Sequence, residues 1–141
     1  MVFAADLIDG AQALAMVEQV EASLGALDVL VTSAGAAKRT PPDELNAAAW
    51  RAAMDAKYFT YVNVLTPVIQ RMAARKSGNV VNVIGAGGKV ASPPHLAGGA
   101  ANAALMLVTA GLANAYGGIG IRVNAVNPGA TLTDRLKEGL A

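Results

Sequence analysis

His95 is the single histidine of this chain, and with an ordinary pKa near neutrality its imidazole is well suited to pass a proton at physiological pH. It opens the stretch HLAGGAANAAL, residues 95–105, where only His95 and Asn102 are polar. That setting is either a site or a tightly packed helix. Other groups able to meet a ligand fall in three clusters: Thr32, Ser33 and Gly35; Gly85, Gly87 and Gly88; and Pro128, Gly129, Thr131 and Thr133. Glycine lets the backbone approach a bound molecule, and a threonine hydroxyl can bond a carboxamide or a phosphate. The lack of cysteine removes disulfides, thiolate metal sites and a cysteine nucleophile, and is compatible with a reducing compartment. One histidine argues equally against a histidine-based metal cluster, so no metal is expected.

These groups must be positioned by regular elements. Three apolar runs, DVLVTSAG (28–35), NVVNVIGAGG (79–88) and IRVNAVNPG (121–129), are rich in Val and Ile and stop at Gly or Pro-Gly, so they read as buried parallel strands. MVFAADL at the start is a candidate fourth. Between them the spacing predicts helices over residues 10–24, with Asp9 as cap and Gly25 as stop, over about 42–76, and over 96–116 before Gly117 and Gly118. Pro67 should restart or kink the second of these. Alternating strand and helix predicts an α/β sheet covered on both faces, in a single domain spanning 1–141 with no repeat or linker. In such sheets ligands bind at the carboxyl ends of the strands, where the three clusters lie.

Eleven Lys plus Arg against ten Asp plus Glu give a net charge of +1 with no basic run, which disfavours a nucleic-acid partner. The start carries Asp6 and Asp9 where a signal peptide would have basic residues and an apolar run, so a cytoplasmic location is expected. Residues 90–121 are uncharged and long enough to span a bilayer. Their helical part is mostly Ala and Gly with Asn102 and Asn114 inside it, which fits a helix buried among close neighbours better than a membrane span.

The strand segments carry a resemblance. DVLVTSAG resembles the D-x-L-V-N-N-A-G segment of the short-chain dehydrogenases/reductases, GNVVNVIGAGG their G-x-I-V-N-I-S-S strand, and GIGIRVNAVNPGATLT their G-I-R-V-N-x-V-x-P-G-x-x-x-T segment. AADL (4–7) resembles the end of that family's third strand. The resemblance implies a partial Rossmann-like, doubly wound parallel sheet lacking the first two strands and the last. It also implies NAD or NADP as cofactor, and hydride transfer between the nicotinamide and a small alcohol or carbonyl. By position, Asp6 and Leu7 would flank the adenine, and Ala34 and Gly35 would pass the adenosine ribose. Pro128, Gly129, Thr131 and Thr133 would face the nicotinamide and adjacent phosphate. A homo-oligomer formed through the long helices is implied as well. Because the family's Gly-rich phosphate turn is not in this sequence, the chain is expected to be a fragment or truncated reading frame, or to assemble with a partner that covers the gap.

The family's catalytic positions are altered. Aligning NAAL (102–105) with the family's K-A-A-L places Asn102 at the Lys, Gly98 at the Tyr and Gly85 at the Ser; WRAAMDAKYF (50–59) places Lys57 at the Asn. Glycine cannot donate a proton, so the family's usual proton path is closed at Gly85 and Gly98. Lys for Asn and Asn for Lys look reciprocal, which suggests that Lys57 supplies the charge at the ribose with Asn102 as its hydrogen-bonding partner. The acid would then be His95 or Tyr58. The plainer alternative is that Lys57 snorkels, Asn102 packs and His95 only enters a helix, leaving a non-catalytic binding or dimerisation module. Tyr61 and Tyr116 lack a following Lys at the required spacing, and Trp50, Met54, Met72, Met106 and Leu107 read as core or interface.

Overall fold

The computed structural model describes residues 1–35 and 37–132. Helix α1, Gly10–Leu24, starts where the sequence places a cap: the Asp9 carboxylate accepts from the backbone N–H groups of Ala11 at 2.8 Å and Gln12 at 3.2 Å. The Gly25 N–H closes the helix on Glu21 O. Three parallel strands follow in chain order, β1 (Val29–Thr32), β2 (Gly78–Val83) and β3 (Ile121–Val126), lying in the order β1-β2-β3. Leu30 pairs with Val80, and Val80 with Val123.

Between β1 and β2 the chain makes a short turn at Pro42–Glu44 and then helix α2, Ala47–Met54, whose cap Asn46 accepts from Ala49 N–H. One wide π turn, Asp55–Phe59, joins α2 to α3, Thr60–Arg75. Helix α3 runs through Pro67, so the expected restart there does not occur; the irregular turn lies upstream. Helix α4, Leu96–Tyr116, connects β2 to β3 and is followed by the turn Gly117–Ile119.

A β-α-β crossover is right-handed, and both crossovers here step in the same direction along the sheet, so their helices fall on one face. Val80, Ile121 and Val123 bury against Leu65, Val68 and Met72 of α3, while Val108 and Leu112 of α4 pack on the same cluster. Each fully buried Leu or Met contributes roughly 1.5–3 kcal/mol. On the other face Val29, Val31 and Val126 are 56%, 59% and 48% exposed. Thus the expectation of helices on both faces is met on one only, among the described residues.

The start of the chain forms no strand. Its backbone is pinned to α3 by the Asn63 amide, which donates to Leu7 O at 2.9 Å and Ile8 O at 3.0 Å. Among the described residues β1 is an edge of the sheet.

Candidate active site

The strands' pairing continues past their carboxyl ends. Ile84 N–H donates to Val126 O and Ala86 N–H to Pro128 O, both at 2.9 Å, holding the turn Ala86–Gly88 beside residues 128–131. That turn folds back over the first turns of α4, where Gly99 has no side chain: a Cβ there would stand 2.8 Å from Gly87 O. A cleft of ≈ 670 Å³ opens between these segments, walled by Gly85, Gly87, His95, Asn102, Pro128 and Gly129. Arg39, Ser92 and Thr131 stand around its rim.

The imidazole of His95 leans over Gly98. A Cβ on Gly98 would lie 2.2 Å from Cε1, and one on Gly87 would lie 3.2 Å from Cδ2, so the ring occupies space that a side chain at either position would need. One turn on, Asn102 is 6% exposed; its Nδ2 is 3.4 Å from where a Gly85 Cβ would stand, and its Oδ1 has no hydrogen-bond partner. The positions aligned with the family's Ser, Tyr and Lys therefore lie close together, and His95 fills the space over Gly98 and beside Gly87.

Lys57 sits in the π turn, 9% exposed, a place where an irregular turn re-aims a side chain. Its Nζ donates to Tyr61 Oη at 3.0 Å and lies 4.6 Å from that ring's centroid, and Tyr61 Oη donates to Val83 O. Burial pushes the Tyr61 phenol up from its ordinary pKa, which keeps it a proton-bearing donor. Because Asn102 Oδ1 accepts no bond, the direct Lys57 to Asn102 pairing suggested by the sequence is not made through that atom.

The expected cofactor residues divide. Pro128, Gly129 and Thr131 line the cleft, while Thr133 lies outside the described residues. Ala34 and Gly35 follow β1 and are not in the cleft wall. Gly35, at φ +91°, is required by close packing, since a Cβ would stand 2.1 Å from Ala56 O. Asp6 accepts from Ile8 N–H and Leu7 packs on the main core, both away from the cleft. Thr32, grouped above with the ligand-facing residues, is structural. Its hydroxyl donates to Asn82 Oδ1 at 2.7 Å, Asn82 Nδ2 donates to Thr109 Oγ1 at 2.9 Å, and Thr109 Oγ1 donates to Leu105 O. Sequence reasoning passed over Arg39 and Asn82; the signal for Arg39 was the lone Lys38-Arg39 pair between the first strand and the next helix.

The sequence pattern of the short chain dehydrogenase family matches residues 1–140. The chain is 33% identical over 132 residues to a D-threitol dehydrogenase of Mycolicibacterium smegmatis, covering 94% of this chain and 51% of that protein. It is 35% identical over 125 residues to a cis-4-hydroxycyclohexanecarboxylate dehydrogenase of Sinomonas cyclohexanicum, covering 88% and 50%. Among solved structures, a gluconate 5-dehydrogenase from Burkholderia cenocepacia J2315 in complex with NADP and tartrate superposes with a TM-score of 0.87 at 30% identity, over 96% of this chain and 52% of that one. The chain thus spans about half the length of the curated relatives it matches.

Proposed function

The chain belongs to the short chain dehydrogenase family, and from that premise we propose that it is part of an NAD- or NADP-dependent oxidoreductase acting on a small alcohol or carbonyl, with His95 as its proton-transfer group. The observation that carries this reading is the His95 ring seated over Gly98 and beside Gly87, in the cleft at the strand ends that Gly85 and Asn102 also line. The cleft also suits the nicotinamide end of the cofactor. It offers open backbone at Pro128 and Gly129, a hydroxyl at Thr131, and the unpartnered buried Oδ1 of Asn102 as acceptor for a ribose hydroxyl. Thr133, Ala34, Gly35, Asp6 and Leu7 remain assigned to the phosphate, ribose and adenine by family position.

When bound, the nicotinamide supplies or accepts the hydride. His95 takes the hydroxyl proton as an alcohol is oxidised and returns it to oxygen as a carbonyl is reduced. Lys57 is a positioning residue in this scheme: through Tyr61 it holds the Val83 carbonyl, two residues before Gly85. The relatives named above act on a polyol and a hydroxy acid, as their names state, which supports the alcohol and carbonyl class.

A second reading is supported by helix α4. Leu107 is 76% exposed on its outer side, with Ala103 and Ala110 also exposed, a face suited to a second copy of the chain. The helical stretch Pro93–Ile119 is long and apolar enough to cross a membrane by length and composition, with 33% of its apolar window buried. We read it as a core and dimer helix of a soluble, cytoplasmic protein, because its inner side packs on the sheet.

The test is titration with NADH and NADPH, followed by reduced-nicotinamide fluorescence, for the wild type and Asn102→Leu. Binding at millimolar cofactor that Asn102→Leu weakens is the expected result. Binding that Asn102→Leu leaves unchanged would remove Asn102 from the cofactor site, and absent binding that is still absent once the chain is joined to a Gly-rich phosphate turn would sink the oxidoreductase reading and leave the association module.

A further inference from the structure

The rim residue Arg39 is held in place from both sides. Ala37 is 4% exposed and packs with Ala53 and Ala97, and Thr40 N–H donates to Pro94 O at 3.1 Å, beside His95 itself. Arg39 therefore stands on a short loop clamped to the turn Pro93–His95, on the same cleft as the imidazole. The ion pairs among the described residues join Arg71 and Arg75 to Glu18 and Glu21 on the far helices, and none engages Arg39. Among the described residues no Asp or Glu lines the cleft, and α4, which begins at its wall, carries no acidic residue in its first turn. A guanidinium carried on a clamped loop, in a cleft with no counter-charge among the described residues, favours a planar anion that can take two parallel hydrogen bonds.

We infer that the cleft takes a hydroxy acid or keto acid, its carboxylate on Arg39 and its reacting oxygen at His95. The reacting end rests on the oxidoreductase reading above; the carboxylate end does not. In the oxidation, the substrate C–H bond gives its hydride to the oxidised nicotinamide and the O–H proton passes to His95, leaving the ketone with its carboxylate still on Arg39. Arg39 thus selects the substrate without entering the chemistry. The ≈ 670 Å³ of the cleft is within the range that small-molecule sites occupy, room for a short acid beside the nicotinamide.

Since His95 is the only histidine, its ring resonances report on the cleft without further assignment. The full chain is titrated at constant ionic strength with malate and with its uncharged diamide, following those resonances, in the wild type, Arg39→Gln and Arg39→Lys. Saturable shifts with malate are expected, with the diamide weaker by about tenfold or more, a difference of about 1.4 kcal/mol. Arg39→Gln should erase that difference and Arg39→Lys restore part of it. Equal binding of the diamide, indifference to Arg39→Gln, or no shift with malate overturns the inference. So does a loss in Arg39→Gln of NADH binding with malate binding intact, which would assign Arg39 to the cofactor's pyrophosphate. Malate binding without turnover under oxidised cofactor counts against the oxidoreductase reading alone.

Discussion

The His95 ring fills the place of a side chain at Gly98: a Cβ added there would stand 2.2 Å from Cε1 and 2.9 Å from Nδ1. The glycine and the histidine are therefore one feature. Gly98→Ala should displace the ring at a cost of about 1–3 kcal/mol, the usual range for overpacking. In a His95→Ala background the same change should cost almost nothing. A double-mutant cycle by urea unfolding reads the coupling, and additive effects would mean that the ring and Gly98 are independent.

If His95 moves the proton, direction sets the sign of the pH profile. Alcohol oxidation needs the neutral imidazole, so kcat/KM should rise with pH as the ring gives up its proton and then level off; carbonyl reduction needs the imidazolium and should fall as pH rises. His95→Gln should remove that limb and lower the rate by about 10²–10⁴-fold. A limb that survives the substitution would assign it to another group.

Tyr61 makes a prediction at the alkaline end. Burial raises its pKa above the ordinary 10.0, so the folded state favours the protonated phenol. Below that value folded and unfolded chains both keep the proton and stability is unaffected. As pH rises past it the unfolded chain loses the proton first, and stability falls until the folded-state value is passed. Tyr61→Phe should flatten this alkaline loss while costing about 1–3 kcal/mol at neutral pH, because the Lys57 ammonium and the Val83 carbonyl lose their shared partner. Thermal melts from neutral pH to pH 11 compare the two chains. An unchanged slope would place the alkaline titration elsewhere.

What the sequence could announce was set by local physics. Val-rich runs ending at glycine read as strands, and Asp9 capping α1 needed nothing beyond its neighbours. The family segments located Gly85, Asn102 and Pro128, which the fold brought to one cleft, and Gly98, which packs under the His95 ring at its wall. Long-range choices were hidden. Asn82 looks like an ordinary strand residue until Thr32 and Thr109, fifty positions before it and twenty-seven after, supply its hydrogen bonds. The π turn that aims Lys57 at Tyr61 leaves no periodic signature, because a one-turn widening barely shifts the apolar spacing. Nor does periodicity say which face of a sheet a helix covers; that follows from strand order and crossover handedness.

Helix α4 separates packing from association. Leu105 is fully buried and Leu107 is 76% exposed, two residues apart on opposite sides of one helix. Leu107→Glu should leave the thermal midpoint nearly unchanged in a monomer, since exposed substitutions shift stability by about 0.5 kcal/mol or less. If α4 forms the contact between copies, the same change should halve the mass seen by light scattering. A wild type already monomeric at high concentration would remove the dimer reading.

The open face of the sheet should govern solubility. Val29 and Val31 project from the edge strand β1 away from the helices, and Val126 joins them across the sheet, an apolar surface beside unpaired backbone. Such an edge invites pairing with other chains, and a lysine on it is the common natural deterrent. Val31→Lys should slow concentration-dependent aggregation while changing folding stability by no more than about 0.5 kcal/mol, because the residue is already 59% exposed. A marked loss of stability instead would mean that this face is covered in solution, by a second copy or by the rest of a longer protein. Size-exclusion chromatography of the variant beside the wild type separates those outcomes: loss of a defined larger species points to a specific contact, and loss of heterogeneous aggregate to exposed edge pairing.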